Sequence, residues 1–402
     1  MNEFAKRKHH LISKRTHQSL SIVNPWDLIL DNYEPINFVI SGGVNIVDRL
    51  SLLHSYLKRF IGQNPIVVMH GEDTLLEQVL FDLSQKYNCK YDIVNIHNKI
   101  YEPFLGMEET QIIKVLKNIA SQLQYTMTPH FENVVRTYMK ILSKLNIPIC
   151  LSGFYYLCTF DDIQEFHQNI IELFGEEQGY RVWSAFEIDN PYCNTQYELF
   201  HIIILRLADS FKKNGWSDDF QYGNINLLQE TKNSNIISIS INNLFNDITQ
   251  IYFAEELKGL NKNTVFLIDD VKLNDASFYN LLEEARFHCG IISRDLMNMV
   301  GNNEQFLVRF IEKSRLLIIL KHGTSINAEF FSKIIGNYEH IKTDYTEGVN
   351  HDYFKLFPKG KQKSIHRSIE NKYRVMPEQI MSLDKNQAVI LDILNNKILF
   401  LN

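Results

Sequence analysis

The stretch Ile36-Asn37-Phe38-Val39-Ile40-Ser41-Gly42-Gly43, with the residues that follow it to Phe60, decides the fold. An apolar run ends at two glycines, and apolar residues then recur at Val47, Leu50, Leu53, Tyr56, Leu57 and Phe60, the spacing of one helix face. This reads as strand, glycine turn, helix. The same unit follows at once: Pro65-Ile66-Val67-Val68-Met69 runs into His70-Gly71-Glu72-Asp73 and a helix over 75–87, with a third strand near 91–96. Short, wholly apolar strands alternating with helices predict a parallel sheet covered on both faces. From about 103 to 218 only helical periodicity is found, over 112–123, 131–145, 154–156, 161–174 and 198–213, which predicts an all-helical insertion. The alternation then resumes with Ile236-Ile237-Ser238-Ile239-Ser240-Ile241, a helix over 244–260, the strand Thr264-Val265-Phe266-Leu267-Ile268 ending in Asp269-Asp270, and a helix over 276–288. A further strand over 316–320 ends in Lys321-His322-Gly323-Thr324; glycine-containing, charged sequence runs over 336–373, the segment 355–374 reads as a basic loop, and 388–401 reads as a hairpin turning at Asn395-Asn396. The predicted fold class is α/β, with a mostly parallel sheet from 21–105 and 225–402, an inserted all-helical domain over 106–224 and a C-terminal β-hairpin.

Composition narrows the function classes. With 402 residues, 45% hydrophobic and 22% charged, and only 17 Gly and 9 Pro, the chain has the make-up of a folded protein with sizeable cores, not of a linker or a fibre. The net charge of −6 argues against a surface coated in nucleic acid, leaving local basic patches open. Five cysteines without CxxC or zinc spacing read as reduced thiols of a cytoplasmic protein. The longest apolar runs fall far short of the roughly 18 residues of a spanning helix, so no transmembrane segment is expected. Residues 1–20 are basic and lead into polar sequence, which reads as a flexible arm or a docking tail for an acidic surface.

Two separated elements could carry chemistry. A strand, glycine turn and helix near the start, with an apolar strand ending in two aspartates over two hundred residues later, is the architecture of a P-loop NTPase. There, backbone amides and a lysine cradle phosphates, a hydroxyl ligates Mg²⁺, and a carboxylate on the second strand sits beside the ion. Placing Gly42 at the first glycine of G-x-x-x-x-G-K-[ST] puts Val47 at the second glycine, Asp48 at the lysine and Arg49 at the hydroxyl. Three required groups are thus replaced, and Asp48 would repel the phosphates that the lysine attracts. The remaining candidates for a vestigial nucleotide site are Gly42, Gly43, Arg49 and Asp269, with Asp269 and Asp270 as candidate catalytic carboxylates. Each has a plainer alternative: a tight turn for the glycines, a surface charge for Arg49, a strand cap for the aspartates. ATP and Mg²⁺ are therefore open as cofactors without being called for. No histidine stands in a HExxH pattern and no serine in G-x-S-x-G, so neither a metal site nor covalent catalysis is expected. Lys359, Lys361, Lys363 and Arg367 lie in a basic stretch that is either a solvated loop or a phosphate-tracking contact.

The order of these elements resembles the cytoplasmic part of the TraG/TraD-like conjugative coupling ATPases of type IV secretion, in the superfamily of the FtsK DNA translocases. The resemblance covers roughly 36–402. It rests on the turn ending at Gly43, on Tyr101-Glu102-Pro103-Phe104-Leu105-Gly106 leading into the helical part, and on Val265-Phe266-Leu267-Ile268-Asp269-Asp270 in the Walker B place. Further along, Leu316 to Thr324 stands where that family has a strand ending in a sensor glutamine, replaced here by His322 or Thr324. Last comes Tyr373-Arg374-Val375-Met376-Pro377-Glu378-Gln379-Ile380 before the final hairpin. The resemblance implies a RecA/FtsK-type P-loop fold and a hexameric ATPase that feeds relaxase-bound DNA to a secretion channel; the transmembrane N-terminus common in the family is not expected here. With the phosphate chemistry replaced, the expectation is a non-hydrolysing adaptor or regulatory subunit in conjugative DNA transfer. It would be cytoplasmic or recruited to the inner face of the membrane, with a coupling ATPase or a relaxase as partner, in a homo- or hetero-oligomer and with possible DNA contact. The alternatives are an active DNA-translocating ATPase with an unconventional phosphate site, and a nucleic-acid-binding scaffold that needs no nucleotide.

Overall fold

The computed structural model describes Trp26 and residues 37–43, 46–71, 73–94, 101–160, 162–213, 227–231, 235–241, 247–349, 361–384 and 387–401. The opening unit is β1 (Phe38–Ser41), α1 (Ile46–Leu57), β2 (Ile66–His70), α2 (Thr74–Tyr87) and β3 (Tyr91–Val94). Helices then follow without a strand: α3 (Glu109–Gln122), α4 (Pro129–Lys144), α5 (Leu151–Cys158), α6 (Ile163–Phe174), α7 (Glu176–Ser184) and α8 (Pro191–Lys213). After α9 (Leu227–Glu230) the alternation returns as β4 (Ile236–Ser240), α10 (Asp247–Leu257), β5 (Val265–Asp269), α11 (Ala276–Glu284) and β6 (His288–Ser293). It continues as α12 (Leu296–Met299), α13 (Glu304–Lys313), β7 (Leu316–Ile319) and α14 (Ser325–Ile335). The chain ends with the ribbon β8 (Asn337–Val349) and β9 (Lys361–Tyr373), then α15 (Pro377–Met381) and the hairpin β10 (Ala388–Asp392) and β11 (Lys397–Leu401).

Nine strands form one sheet in the order β11-β10-β7-β1-β6-β5-β2-β4-β3. β1 to β7 pair in parallel, while β10 runs antiparallel to β7 and β11 to β10. The period of two divides each strand between two cores. Val39, Val67, Met69, Ile237, Phe266, Ile268 and Leu317 join a cluster shared with the helical segment. Phe38, Ile40, Ile66, Val68, Leu267 and Ile318 join a second cluster under α1 and α2, against Leu50, Leu53, Leu57, Leu76 and Leu80. Both faces are covered, which is why the strand sequences are continuously apolar.

The turn from sheet to helices is polar and buried. Tyr101 donates its hydroxyl to Glu256, the Tyr101 and Tyr252 hydroxyl oxygens lie 3.1 Å apart, and the Phe104 amide donates to Tyr252 Oη at 2.8 Å. Glu102 receives both the Ser152 amide at 2.9 Å and the Ser152 hydroxyl at 2.8 Å, satisfying donors that the first turn of α5 leaves open. Tyr252 and Glu256 lie on α10, which packs against α3 and α8, so a helix of the alternating part is wedged into the helical segment. Burial pushes Glu256 up to about 7, although the hydrogen bonds from Tyr101 and Tyr252 favour its charged form.

Two parts of the sequence reading are corrected. The helix expected over 276–288 stops at Glu284, because the apolar run Cys289-Gly290-Ile291-Ile292 forms β6 beside β1 in the centre of the sheet. Gly290 allows that neighbour: a Cβ there would stand 2.3 Å from the Phe38 ring. The segment expected as a basic loop over 355–374 instead contributes β9 to an antiparallel ribbon with β8, 13 residues in each described strand, paired from Asn337↔Tyr373 to Val349↔Lys361. Its sequence lacks an apolar alternation, so only pairing with a distant partner makes it a strand. The C-terminal hairpin forms as expected, with Asn396 at φ +48° in its turn. Among the described residues no helix is long and apolar enough to cross a membrane.

Candidate functional site

Because β1, β5, β6 and β7 are parallel, their carboxyl ends meet at one edge of the sheet. Gly42 and Gly43 leave β1 at φ +94° and +87°, a backbone that L side chains rarely adopt. The turn is tightly enclosed: a Cβ on Gly42 would lie 2.6 Å from the Leu320 carbonyl oxygen. Both amides are engaged, that of Gly42 with the Ser293 carbonyl at 2.9 Å and that of Gly43 with the Lys321 carbonyl at 3.0 Å.

Arg49 is not the surface charge that its helix position suggested. It is 2% exposed and reaches from α1 across to the end of β5. Its guanidinium lies 2.5 Å from Asp270 Oδ2 and 3.5 Å from Asp269 Oδ1. Asp270 also accepts from the Ser293 hydroxyl at 2.5 Å, the Arg294 amide at 3.0 Å and Arg294 Nε at 3.1 Å. It adopts φ +51°, a conformation that turns the chain out of β5 and costs a residue with a Cβ about 1 kcal/mol or more. Asp269 is 2% exposed, and its Oδ1 has no hydrogen-bond partner.

These surroundings split the two carboxyls. Burial pushes Asp269 up to about 7 in spite of Arg49. Burial also opposes the charged form of Asp270, but Arg49, Ser293 and the Arg294 amide outweigh it and hold this carboxyl below its ordinary value. For Arg49 burial is likewise the largest influence, and the two aspartates overcome it and raise its pKa. The cluster is a fixed cation, Arg49, held by the anion Asp270, with the Asp269 carboxyl beside it pushed towards its neutral form.

Two histidines close the edge. His322, just beyond β7, is buried with Nε2 3.1 Å from Ser41 Oγ and its ring stacked on Phe331. His70 ends β2; its Nδ1 accepts from the Asp73 amide at 3.1 Å, so Nε2 carries the hydrogen shared with Ser238 Oγ at 2.8 Å. Burial lowers both to about 4, so both rings are neutral at pH 7. Thr324 precedes α14, where Asn327 joins its hydroxyl at 3.3 Å to Asp295 at 3.0 Å.

The structure therefore brings Gly42, Gly43, Arg49, Asp269, Asp270 and His322 together and places Asp48 on α1. Sequence reading missed Ser293 and Arg294, and the apolar run Cys289 to Ile292 was the signal that could have found them. Lys361, Lys363 and Arg367 lie apart from this edge in chain topology, on β9 of the two-stranded ribbon, and Lys359 lies outside the described residues.

No family model and no curated protein matches this chain. Solved structures do. The unbound monoclinic form of the bacterial conjugative coupling protein TrwBΔN70 matches at 14% identity and TM-score 0.55, over 92% of this chain and 84% of that one. Its trigonal form with sulphate matches at 13% identity and TM-score 0.53, and the plasmid coupling protein TrwB with the GTP analogue GDPNP at 13% and 0.52, each over 92% of this chain and 85% of that one. The chain has the coupling-protein fold. This is a P-loop NTPase-like architecture of the type expected from the order of strands and helices, shared over nearly the whole chain at an identity too low to carry side-chain chemistry across.

Proposed function

We propose that this protein is a non-hydrolysing adaptor or regulatory subunit of a conjugative or type IV secretion apparatus, built on a coupling-protein fold whose nucleotide site has been filled from within. The fold is the support for the apparatus. The observation that carries the loss of hydrolysis is Arg49, buried against Asp269 and Asp270. In a working site the helix hydroxyl and the strand aspartate hold Mg²⁺ between them; here the hydroxyl position is itself the cation. The described residues do not fit Mg-nucleotide: the ion would meet the guanidinium, no lysine stands at Asp48, and the amides of Gly42 and Gly43 are spent on carbonyls. The protein would then act through its surfaces, docking on an active coupling ATPase or on a relaxase, with the β8–β9 ribbon as a DNA contact.

The test is equilibrium binding of ATP with Mg²⁺ to the folded full chain, followed by phosphate release with and without DNA. The expected result is neither binding nor release. Turnover in the wild-type chain that disappears in Asp269→Ala would overturn the reading and identify a working motor.

A further inference from the structure

Far from the sheet edge in the chain, the helical segment brings three unlike donors to one spot. His130 follows Pro129 at the start of α4, Glu187 lies in the turn after α7, and Cys193 stands in the first turn of α8. One ligand atom from each lies within 4.8 Å of the other two. Tetrahedral coordination at about 2.0–2.3 Å asks its ligands to be three to four ångströms apart, so small side-chain rotations close the remaining gap. The Cys193 thiol already donates to Glu187 Oε2 at 3.1 Å. His130 Nε2–H donates to the Phe186 carbonyl at 3.0 Å, which fixes the tautomer and leaves Nδ1 as the ring's lone pair.

The loop that carries two of the donors is tightly held. The Glu187 amide donates to the Ser184 carbonyl at 3.1 Å, that of Asn190 to Glu187 at 2.9 Å, and that of Cys193 to Asn190 at 2.9 Å. Glu187 sits at φ +48°, where glycine or asparagine is the usual occupant. Cys193 and His130 are half-buried and Glu187 is exposed, so a cation can reach the spot from solvent.

We propose that His130, Glu187 and Cys193 form a binding site for a borderline divalent cation, Zn²⁺ in particular, with water as the fourth ligand. The donor set decides the class: one thiolate, one imidazole and one carboxylate suit Zn²⁺ and disfavour Mg²⁺ or Ca²⁺, which take oxygen. Binding replaces the thiol hydrogen bond by a metal–sulfur bond and releases that proton to solvent. It clips the start of α4 to the α7–α8 turn, and it is independent of the nucleotide reading. Positions 130, 187 and 193 follow no ligand spacing along the chain, so only the packing of α4 against the α7–α8 turn reveals the set.

The test is titration of the chelator-treated full chain with CoCl₂, watching for the thiolate-to-Co²⁺ charge-transfer band. The expected band appears near one equivalent, is bleached by Zn²⁺, persists in Cys89→Ser and is lost in Cys193→Ser, with affinity at least about tenfold weaker in His130→Gln. No band in the folded wild type, or a band that survives Cys193→Ser, overturns the proposal. Where Cys193→Ser does not fold, a Zn²⁺-induced rise in melting temperature decides: present in the wild type and lost in Glu187→Gln and His130→Gln it supports the site, and unchanged in those variants it overturns it.

Discussion

A buried guanidinium facing two carboxylates is stable only as a set. Removing one member of a buried ion pair typically costs about 3–5 kcal/mol, because the other charge stays buried without compensation. Arg49→Met should therefore destabilise the fold by about that much, read as a lower urea midpoint. The loss should depend on pH in a defined direction. Without Arg49 both carboxyls gain pKa, the folded state binds more protons than the unfolded chain, and stability falls as pH rises. Arg49→Met should lose more at pH 8 than at pH 5, and adding Asp270→Asn should restore part of the loss. A pH-independent cost, or none, would mean that the carboxylates do not depend on this arginine.

At the scale of elements the ribbon is the part that sequence patterning hid. Lys361, Lys363 and Arg367 pair in register with Val349, Glu347 and Thr343, and the three are separated by even steps along β9. A two-stranded ribbon is one of the elements that a DNA groove admits. Replacing the three by Gln should weaken binding to duplex DNA and reduce the slope of log affinity against log salt by up to about 3, near one unit for each phosphate that a side chain no longer neutralises. An unchanged slope would leave the ribbon as a spacer. The same element shows where sequence reading stops. β1, β2, β4, β5 and β7 were legible because burial on both faces forces apolar runs. The ribbon was not, because its register depends on pairing across a long separation. β6, which begins where the expected helix ended, was left unread, and with it went Ser293 and Arg294. What Arg49 touches was invisible for the same reason: its partners lie more than two hundred residues away, and only the sheet order brings them near.

At the scale of the whole molecule, the apolar core does not divide at the sequence boundary between alternating and helical parts. One cluster runs from Val39 and Phe266 in the sheet through Tyr252 and Phe253 on α10 to Phe104, Phe131 and Phe200. Unfolding should then be a single cooperative transition, with far-UV circular dichroism and tryptophan fluorescence giving the same midpoint. The buried polar cluster of Tyr101, Tyr252 and Glu256 inside this core makes the transition pH-dependent. Glu256 rises from 4.5 to about 7 on folding, so the folded chain keeps a proton that the unfolded chain has already released. Its contribution is fully present below about pH 4.5, declines as pH rises to about 7 and is then flat; one pKa unit is worth about 1.4 kcal/mol, so the change is on the order of 3 kcal/mol. Asp269, also raised to about 7, adds in the same direction. Glu256→Gln keeps an oxygen to accept from Tyr101 and has no proton to lose, so it should flatten the decline and be the more stable form above pH 7. Two separate transitions would show that the helical segment folds alone, and a Glu256→Gln profile as steep as the wild type would show that the proton is held elsewhere.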